Sequence, residues 1–409
     1  MSFRFLGYDF DETTGVAEFR YQSEKDGFIE KVQFDVKDAA MYDTRKLDAA
    51  IFLAFVVLGT SYYKVRAGRK VELGGSLDEW QAKFFDKVYQ EGLSQFAYEN
   101  GLVRGDLAEF EISHDSESSV AFEDKSRVMG APEIIPKNRG SLVMVSGGKD
   151  SILAAEMIRE SGEEYRVAYI TAQESYPSIV DEISGGTSPI IIRRWIDKEG
   201  LKRAGGMNGH VPVTIINEAL AVVQAVLLGF SRVELGVGKE GLEPHAWIKD
   251  LPVNHQWSKT PEAQELFNEY VRRYVADDIT VGSVLKQYDE LEIAELFAKK
   301  CWEKYGHKFS SCNVANYKQG ADNRELKWCG KCAKCANSYL LFSPFVPYEE
   351  QLKIFGRDLF TDTDLTEIYK GLLGVDGVMK PFECVASVEE LRKAYRERLP
   401  GYGELLFEV

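Results

Sequence analysis

Residues 141–151 read Ser141-Leu142-Val143-Met144-Val145-Ser146-Gly147-Gly148-Lys149-Asp150-Ser151. The first five are short, apolar and β-favouring, as a buried strand requires. The next six put two glycines and two hydroxyls before a segment, Ser151–Glu160, with helical character. A strand, a glycine turn and a helix start make an anion cradle. Glycine lets the backbone turn sharply and approach a ligand closely, and the free N–H groups and dipole of the helix favour negative charge. Ser146 and Ser151 can donate hydroxyl hydrogen bonds, and Lys149 adds a cation if its side chain faces inward. The pattern is neither the Walker loop GxxxxGK[ST] nor the dinucleotide fingerprint GxGxxG.

Downstream, Tyr165–Thr171 and Ser231–Val237 read as further strands, and Val213–Leu228 reads as a helix. Repeated β-α-β units predict an α/β fold with a parallel sheet. Upstream, residues 1–136 predict an N-terminal α+β domain. Val16–Tyr21 and Phe28–Val36 are β-rich around charged turn residues, Leu47–Leu58 is apolar almost all round, and Leu77–Asn100 is an amphipathic helix. Trp80, Phe84 and Phe96 lie near helical spacing and are assigned to the core. The polar stretch from Ser113 to Arg139, with Pro132 and Pro136, marks the boundary. Residues 137–345 form the expected catalytic domain and 346–409 a helical extension.

The chain has 409 residues, with Lys+Arg 50 against Asp+Glu 65 and a formal net charge of −15. Such an acidic chain is not a general nucleic-acid binder, because phosphate neutralisation needs surplus cations. The longest apolar run, Ala49–Leu58, is about half of the ~20 residues a bilayer crossing takes. Asp9, Asp11 and Glu12 stand where a signal peptide would be apolar. The expectation is a cytoplasmic enzyme acting on a small molecule, with no membrane or nucleic-acid partner and an oligomeric state the sequence leaves open.

Four of the six cysteines, Cys312, Cys329, Cys332 and Cys335, cluster late in the chain, while Cys301 and Cys384 stand alone. Two overlapping CxxC steps plus a fourth thiolate suit tetrahedral Zn²⁺ in a closed, structural site. An iron–sulfur cluster and four unliganded thiols are the alternatives.

The SGGKDS loop resembles that of the N-type ATP pyrophosphatases, the PP-loop or adenine nucleotide alpha hydrolase-like class. The resemblance implies that Ser146, Gly147, Gly148, Lys149, Asp150 and Ser151 bind ATP, with Asp150 organising Mg²⁺. Adding the later C…CGxCxxC gives a likeness to the deazaguanine nitrile synthases, which lack a counterpart of residues 1–136. A broader resemblance joins YDFDETTGVAEFRYQ at 8–22, GFIEKVQF at 27–34, the loop, Asn208–Val213, Val253–Lys259, Ser311–Asn313, Trp328–Cys335 and Ser343–Phe345. These segments are similar to the UDP-N-acetyl-muramoyl-L-alanyl-L-glutamate epimerase family. That family implies inversion of a terminal L-glutamate on a nucleotide-sugar dipeptide, with ATP and Mg²⁺ consumed to AMP and diphosphate. Gly238–Glu243 departs from the GNExSA segment expected after the third strand.

Inversion requires removal of a weakly acidic α-proton. Adenylating the α-carboxylate removes its charge and lets the carbonyl accept electrons, so an ATP loop has a physical place in an epimerase. A base, an acid and enolate-stabilising donors are then needed. Of five histidines, His210, His245 and His255 lie in polar, turn-rich segments of the catalytic half. The candidate catalytic residues are Asp150, His210, Glu240, His255 and Lys259. Glu240, at a strand end, is read as a Mg²⁺ ligand, a base or a solvated turn residue. Arg193, Arg194, Lys198, Lys202 and Arg203 form a cationic run, read as a solvated helix face or a diphosphate contact. Arg193, Arg194, Asn208 and Asn254 are the candidate substrate-binding residues. A carboxylate-activating synthase, a tRNA-modifying enzyme and a nucleotide sensor are the competing functions.

Overall fold

Alternation within one short strand shows how the two faces of the protein are built. In Ser141–Met144 (β5) all four residues are buried. Leu142 and Met144 point into one hydrophobic cluster, and Val143, with Val145 beyond it, points into a second. A strand covered on both faces is what a parallel sheet with helical layers demands. The computed structural model describes residues 2–37, 39, 42–112, 140–316 and 324–409. The expected boundary at Ser113–Arg139 lies outside these, apart from the meander and helices that precede it.

The strands are β1 (Ser2–Asp11), β2 (Val16–Ser23), β3 (Asp26–Gln33), β4 (Lys70–Leu73), β5, β6 (Tyr165–Thr171), β7 (Ile190–Trp195), β8 (Arg232–Glu234), β9 (Ala246–Ile248), β10 (Leu251–Val253) and β11 (Thr280–Gly282). Nine of them form one sheet in the order β11-β8-β5-β6-β7-β3-β2-β1-β4, and β9 and β10 form a separate hairpin. From β11 to β7 all pairs are parallel. β5 occupies the centre: β6 and β7 follow on one side, β8 and β11 on the other. The direction of winding therefore reverses between β5 and β8, and ligands in such sheets bind at that switch point, outside the carboxyl ends of the strands.

Antiparallel pairing of β3 with β7, with Val32 opposite Arg194, continues the sheet into the N-terminal meander. The blocks expected as separate domains, 1–136 and 137–345, thus share a sheet and a core. The helix Thr44–Leu58, capped by Asp43 accepting from the Arg45 and Lys46 amides, packs on the helix Val213–Leu228. The stretch Thr44–Arg66 is long and apolar enough to cross a membrane by composition alone, and 83% of its most apolar window is buried inside the protein. Its apolar surface already has a partner in the core.

The expected single helix Leu77–Asn100 is two, Glu79–Gln90 and Ser94–Glu99. The break falls at Gly92, where an added Cβ would lie 3.1 Å from the Pro212 ring, so the chain needs glycine to pass the neighbouring segment. The second cluster joins the helix Lys149–Ser161 to the helices Glu290–Lys300 and Ala333–Phe342 and to the C-terminal helices Tyr348–Phe355, Thr366–Leu373 and Val388–Arg396. The helix Glu290–Lys300 packs directly on the loop helix, and the expected helical extension 346–409 packs behind it, against Glu290–Lys300 and Ala333–Phe342.

Candidate functional site

At the switch point, the carboxyl end of β5 runs into the glycine loop. Gly147 takes φ +84°, a conformation other residues rarely adopt, and its carbonyl accepts from the Ser310 amide at 3.1 Å. Gly148 is the N-cap of the helix Lys149–Ser161 and has no side chain to occupy the free amides. The Ser146 amide donates to Ser151 Oγ at 3.1 Å, which closes the loop on itself.

The loop forms one wall of a cavity of about 270 Å³. Gly236 and Val237 at the end of β8, with Glu240, Lys259, Glu290, Lys334, Asn337, Ser338 and Cys384, complete it. Charge in it is paired and buried. Lys149 donates to Asp150 and to Glu290, each at 2.5 Å, and Lys259 donates to Glu240 at 2.7 Å. Burial opposes the ammonium of Lys149, but Asp150 and Glu290 outweigh it and raise its pKa. Burial likewise opposes that of Lys259, and Cys384, Glu240, Asp150 and Glu290 together hold it well above the ordinary range. Burial pushes Glu290 up to about 7 against the pull of Lys149. Two ammonium groups among three carboxylates beside a helix N-terminus can position a polyphosphate and, through Asp150, Glu240 and Glu290, a divalent cation. Glu240, 4% exposed, is not the solvated turn residue that was one of its readings.

The three histidines come together beyond Lys259. The rings of His210 and His255 are 4.2 Å apart by centroid, those of His245 and His255 6.4 Å, and Phe382 packs 5.1 Å from His245. Gln95 Oε1 lies 2.6 Å from His255 Nδ1. Burial, then the neighbouring positive charges, lowers His210 to about 3 and His245 to about 4; burial likewise takes His255 to about 4, although Glu383 pulls the other way. All three are neutral at pH 7. The segment Phe382-Glu383-Cys384 runs from this cluster to the cavity wall.

Other expected residues lie elsewhere. Asn254 is buried and donates to the Gly241 carbonyl at 2.5 Å, which ties down the loop that carries Glu240. Asn208 is exposed, and its carbonyl accepts from Asn100 at 3.0 Å. Arg193 and Arg194 are on strand β7, not on a helix; only Lys198–Ala204 of the cationic run is helical. Arg194 pairs with the fully buried Glu30 at 2.6 Å, and Arg193 donates to the carbonyls of Gln173 and Glu174. Glu290, Lys334, Asn337, Ser338 and Cys384 were not foreseen. Lys334, inside the second CxxC step, carried the one usable signal, a cation fixed by the cysteine framework.

The sulfurs of Cys312, Cys329, Cys332 and Cys335 all lie within 4.8 Å of one another. Three of the separations are 3.6–3.7 Å. A tetrahedron with Zn–S of about 2.3 Å has edges of about 3.8 Å, so the set fits a single zinc ion. A four-iron cluster places several metal ions between its cysteines and holds them wider apart. The Gly330 amide donates to Cys335 Sγ at 3.2 Å, as thiolate ligands require of their surroundings.

Comparison with known proteins covers most of the chain. Residues 1–284 match the MurL N-terminal domain and residues 308–399 the MurL C-terminal domain. The chain is 35% identical over 397 residues to a Micromonospora protein, covering 95% of this chain and 85% of that one. It is 32% identical to a Salinispora tropica protein, with 95% and 83% covered. It is 30% identical to one from Xanthomonas oryzae pv. oryzae, with 96% and 84% covered. Each of the three is named UDP-N-acetyl-alpha-D-muramoyl-L-alanyl-L-glutamate epimerase.

Proposed function

The chain belongs to the MurL family, and from that premise we propose that it inverts the terminal L-glutamate of UDP-N-acetylmuramoyl-L-alanyl-L-glutamate in peptidoglycan precursor synthesis. Activation is ATP-dependent, through a PP-loop site that makes the glutamyl adenylate and releases diphosphate, then AMP. The reaction belongs in the cytoplasm, where ATP is supplied.

One observation carries the reading: the phosphate-type loop and the histidine cluster flank the same buried, charged wall, joined through Lys259 and the segment 382–384. The Ser146–Ser151 loop would hold the diphosphate on free amides and the helix dipole. Asp150, with Glu240 or Glu290, would hold a magnesium ion, which would supply charge neutralisation on the phosphates. Lys149 and Lys259 steady the negative charge that moves to the leaving group and to the enolate oxygen. The neutral histidines can donate or accept a hydrogen bond at neutral pH beside the cavity wall.

The test is incubation with ATP, Mg²⁺ and the UDP-muramoyl dipeptide in deuterated water. Expected are AMP and D-glutamate carrying deuterium at Cα. No AMP and no inversion would overturn the reading.

A further inference from the structure

We propose that Gln95, in the N-terminal block, is a positioning residue: it holds His255 with the proton on Nδ1 and leaves Nε2 bare to take the α-proton of the activated glutamyl residue. The inference rests on the epimerase reading and deepens it.

His255 is fixed from both sides. The Asn254 amide donates to Ser94 Oγ at 3.1 Å, and the Asn254 side chain donates to the Gly241 carbonyl. On the other side, Gln256, 4% exposed, donates to the Val385 carbonyl at 3.0 Å. The ring itself meets the next residue of the same short helix, Ser94–Glu99. Gln95 is buried, and its Oε1 lies 2.6 Å from Nδ1. Two adjacent residues of the N-terminal block thus hold the backbone and the ring of the histidine segment.

The network decides which nitrogen carries the proton. Gln95 Nε2 donates to Glu99 Oε1 at 2.7 Å. A carboxylate accepts and does not donate, so the amide nitrogen belongs on the Glu99 side and the amide oxygen on the His255 side. An amide oxygen only accepts, so Nδ1 must donate, and the other nitrogen of a neutral imidazole is then an acceptor. Among the described residues, His255 is the one member of the cluster with a side-chain hydrogen bond to orient it.

The surroundings suit a neutral base. His210 lies 4.2 Å from His255 and His245 6.4 Å, by ring centroid. Burial keeps the ring uncharged at neutral pH. Lys334 and Lys259 act with burial, and Glu383 and Glu99 act against it. Both lysines line the cavity, so the ring borders the wall of the site where the acyl phosphate would form. Glu240 and Glu290, the carboxylates in that wall, are already paired with Lys259 and Lys149.

The step balances without a redox partner. The Cα–H bond breaks, Nε2–H forms, and the electron pair moves into the enolate of the adenylate. The Gln95 oxygen, backed by Glu99, steadies the imidazolium through Nδ1–H. A water gives its proton to the opposite face of Cα, and the Nε2 proton neutralises the hydroxide left behind.

The experiment reads the tautomer and the reaction separately. Protein labelled with ¹⁵N-histidine is observed by NMR, with H255Q identifying the His255 signals. Wild type and Q95M are then assayed for dipeptide-dependent exchange of diphosphate into ATP and for deuterium entry at Cα. Expected is a wild-type ring with Nδ1 protonated and Nε2 bare. In Q95M the ring should shift toward the Nε2–H form and deuterium entry should fall about 10-fold or more, with diphosphate exchange within about threefold of wild type. An Nε2–H or evenly mixed ring in wild type overturns the proposal. So does folded Q95M with deuterium entry within a few fold of wild type, or with both reactions lost in parallel, which is what a merely structural glutamine would give. Should Q95M not fold, the wild-type ring decides alone. Failure of the parent reading looks different: wild type would give neither AMP nor inversion, whatever the tautomer.

Discussion

The imidazole rings of His210 and His255 lie 4.2 Å apart, brought together from a loop before the helix Val213–Leu228 and a turn after β10. With His245 they form a partly buried, uncharged cluster facing Lys64, Lys259, Lys334 and Lys380 and, on the acidic side, Glu99, Glu243 and Glu383. Burial first, then those cations, keeps protons off the rings.

That cluster makes stability fall on the acid side. Below about pH 6.5 the unfolded chain takes up protons on histidine that the folded chain refuses until about pH 4. The contribution is fully present above pH 6.5 and is lost as pH falls through that window. Three partly screened groups should cost on the order of 3 kcal/mol by pH 5. Denaturant melts at pH 8, 6.5 and 5 measure it, and H210Q/H255Q should flatten the slope. An equal slope in the double variant would remove the histidines as its cause.

The Lys259–Glu240 pair predicts a non-additive cycle. Glu240 is 4% exposed, so K259M leaves a buried carboxylate without its cation, at a cost of about 3–5 kcal/mol. Adding E240Q removes the stranded charge and should restore more than half of the lost stability without restoring activity. Urea unfolding of the two single variants and the double variant checks this; simple additivity would show that the pair is not coupled.

Local features of the fold were legible and long-range ones were not. β6 and the helix Val213–Leu228 fall where expected, because their apolar runs are set by adjacent residues. β1 was missed because its inward Phe3 and Phe5 alternate with polar residues beside a segment read only for its charges. β7 was read as a cationic helix face because Arg193 and Arg194 look solvated in sequence, and only the fold supplies Glu30 as a partner. The β3–β7 pairing that fuses the two blocks spans the whole meander and leaves no local mark. In the site, the loop, the four cysteines and the three histidines could be picked out by residue type. Glu290 could not, since a helix-start glutamate carries chemistry only once the fold sets it against Lys149, and nothing local places the isolated Cys384 in the cavity wall.

Gly236 offers a test of how tightly β8 holds the loop. A Cβ there would stand 2.5 Å from the Asp150 carbonyl carbon and 2.5 Å from the Ser151 nitrogen, both backbone atoms that cannot swing aside. G236A must therefore push the strand end and the first turn of the loop helix apart. Expected is a loss of about 1–3 kcal/mol from overpacking and a fall of about 100-fold in AMP formation from displaced phosphate contacts. Normal AMP formation with intact stability would show that the loop tolerates the shift.

The cysteine tetrahedron predicts one zinc ion per chain, measurable by elemental analysis of protein purified without added metal. Cys312 comes from the segment after the helix Glu290–Lys300, whereas Cys335 lies in the first turn of Ala333–Phe342, so an ion held there would cross-link two parts of the second core cluster. Lys334, Asn337 and Ser338 of that same helix line the cavity. Removing a ligand should thus loosen the far wall of the site as well as the fold, because binding energy at a structural zinc is folding energy. C335S should lose the metal, lower the thermal midpoint by several degrees and weaken ATP binding, while the wild-type protein resists mild chelation. Iron with visible charge-transfer absorption in the purified protein, or a metal-free protein of undiminished stability, would contradict the zinc assignment.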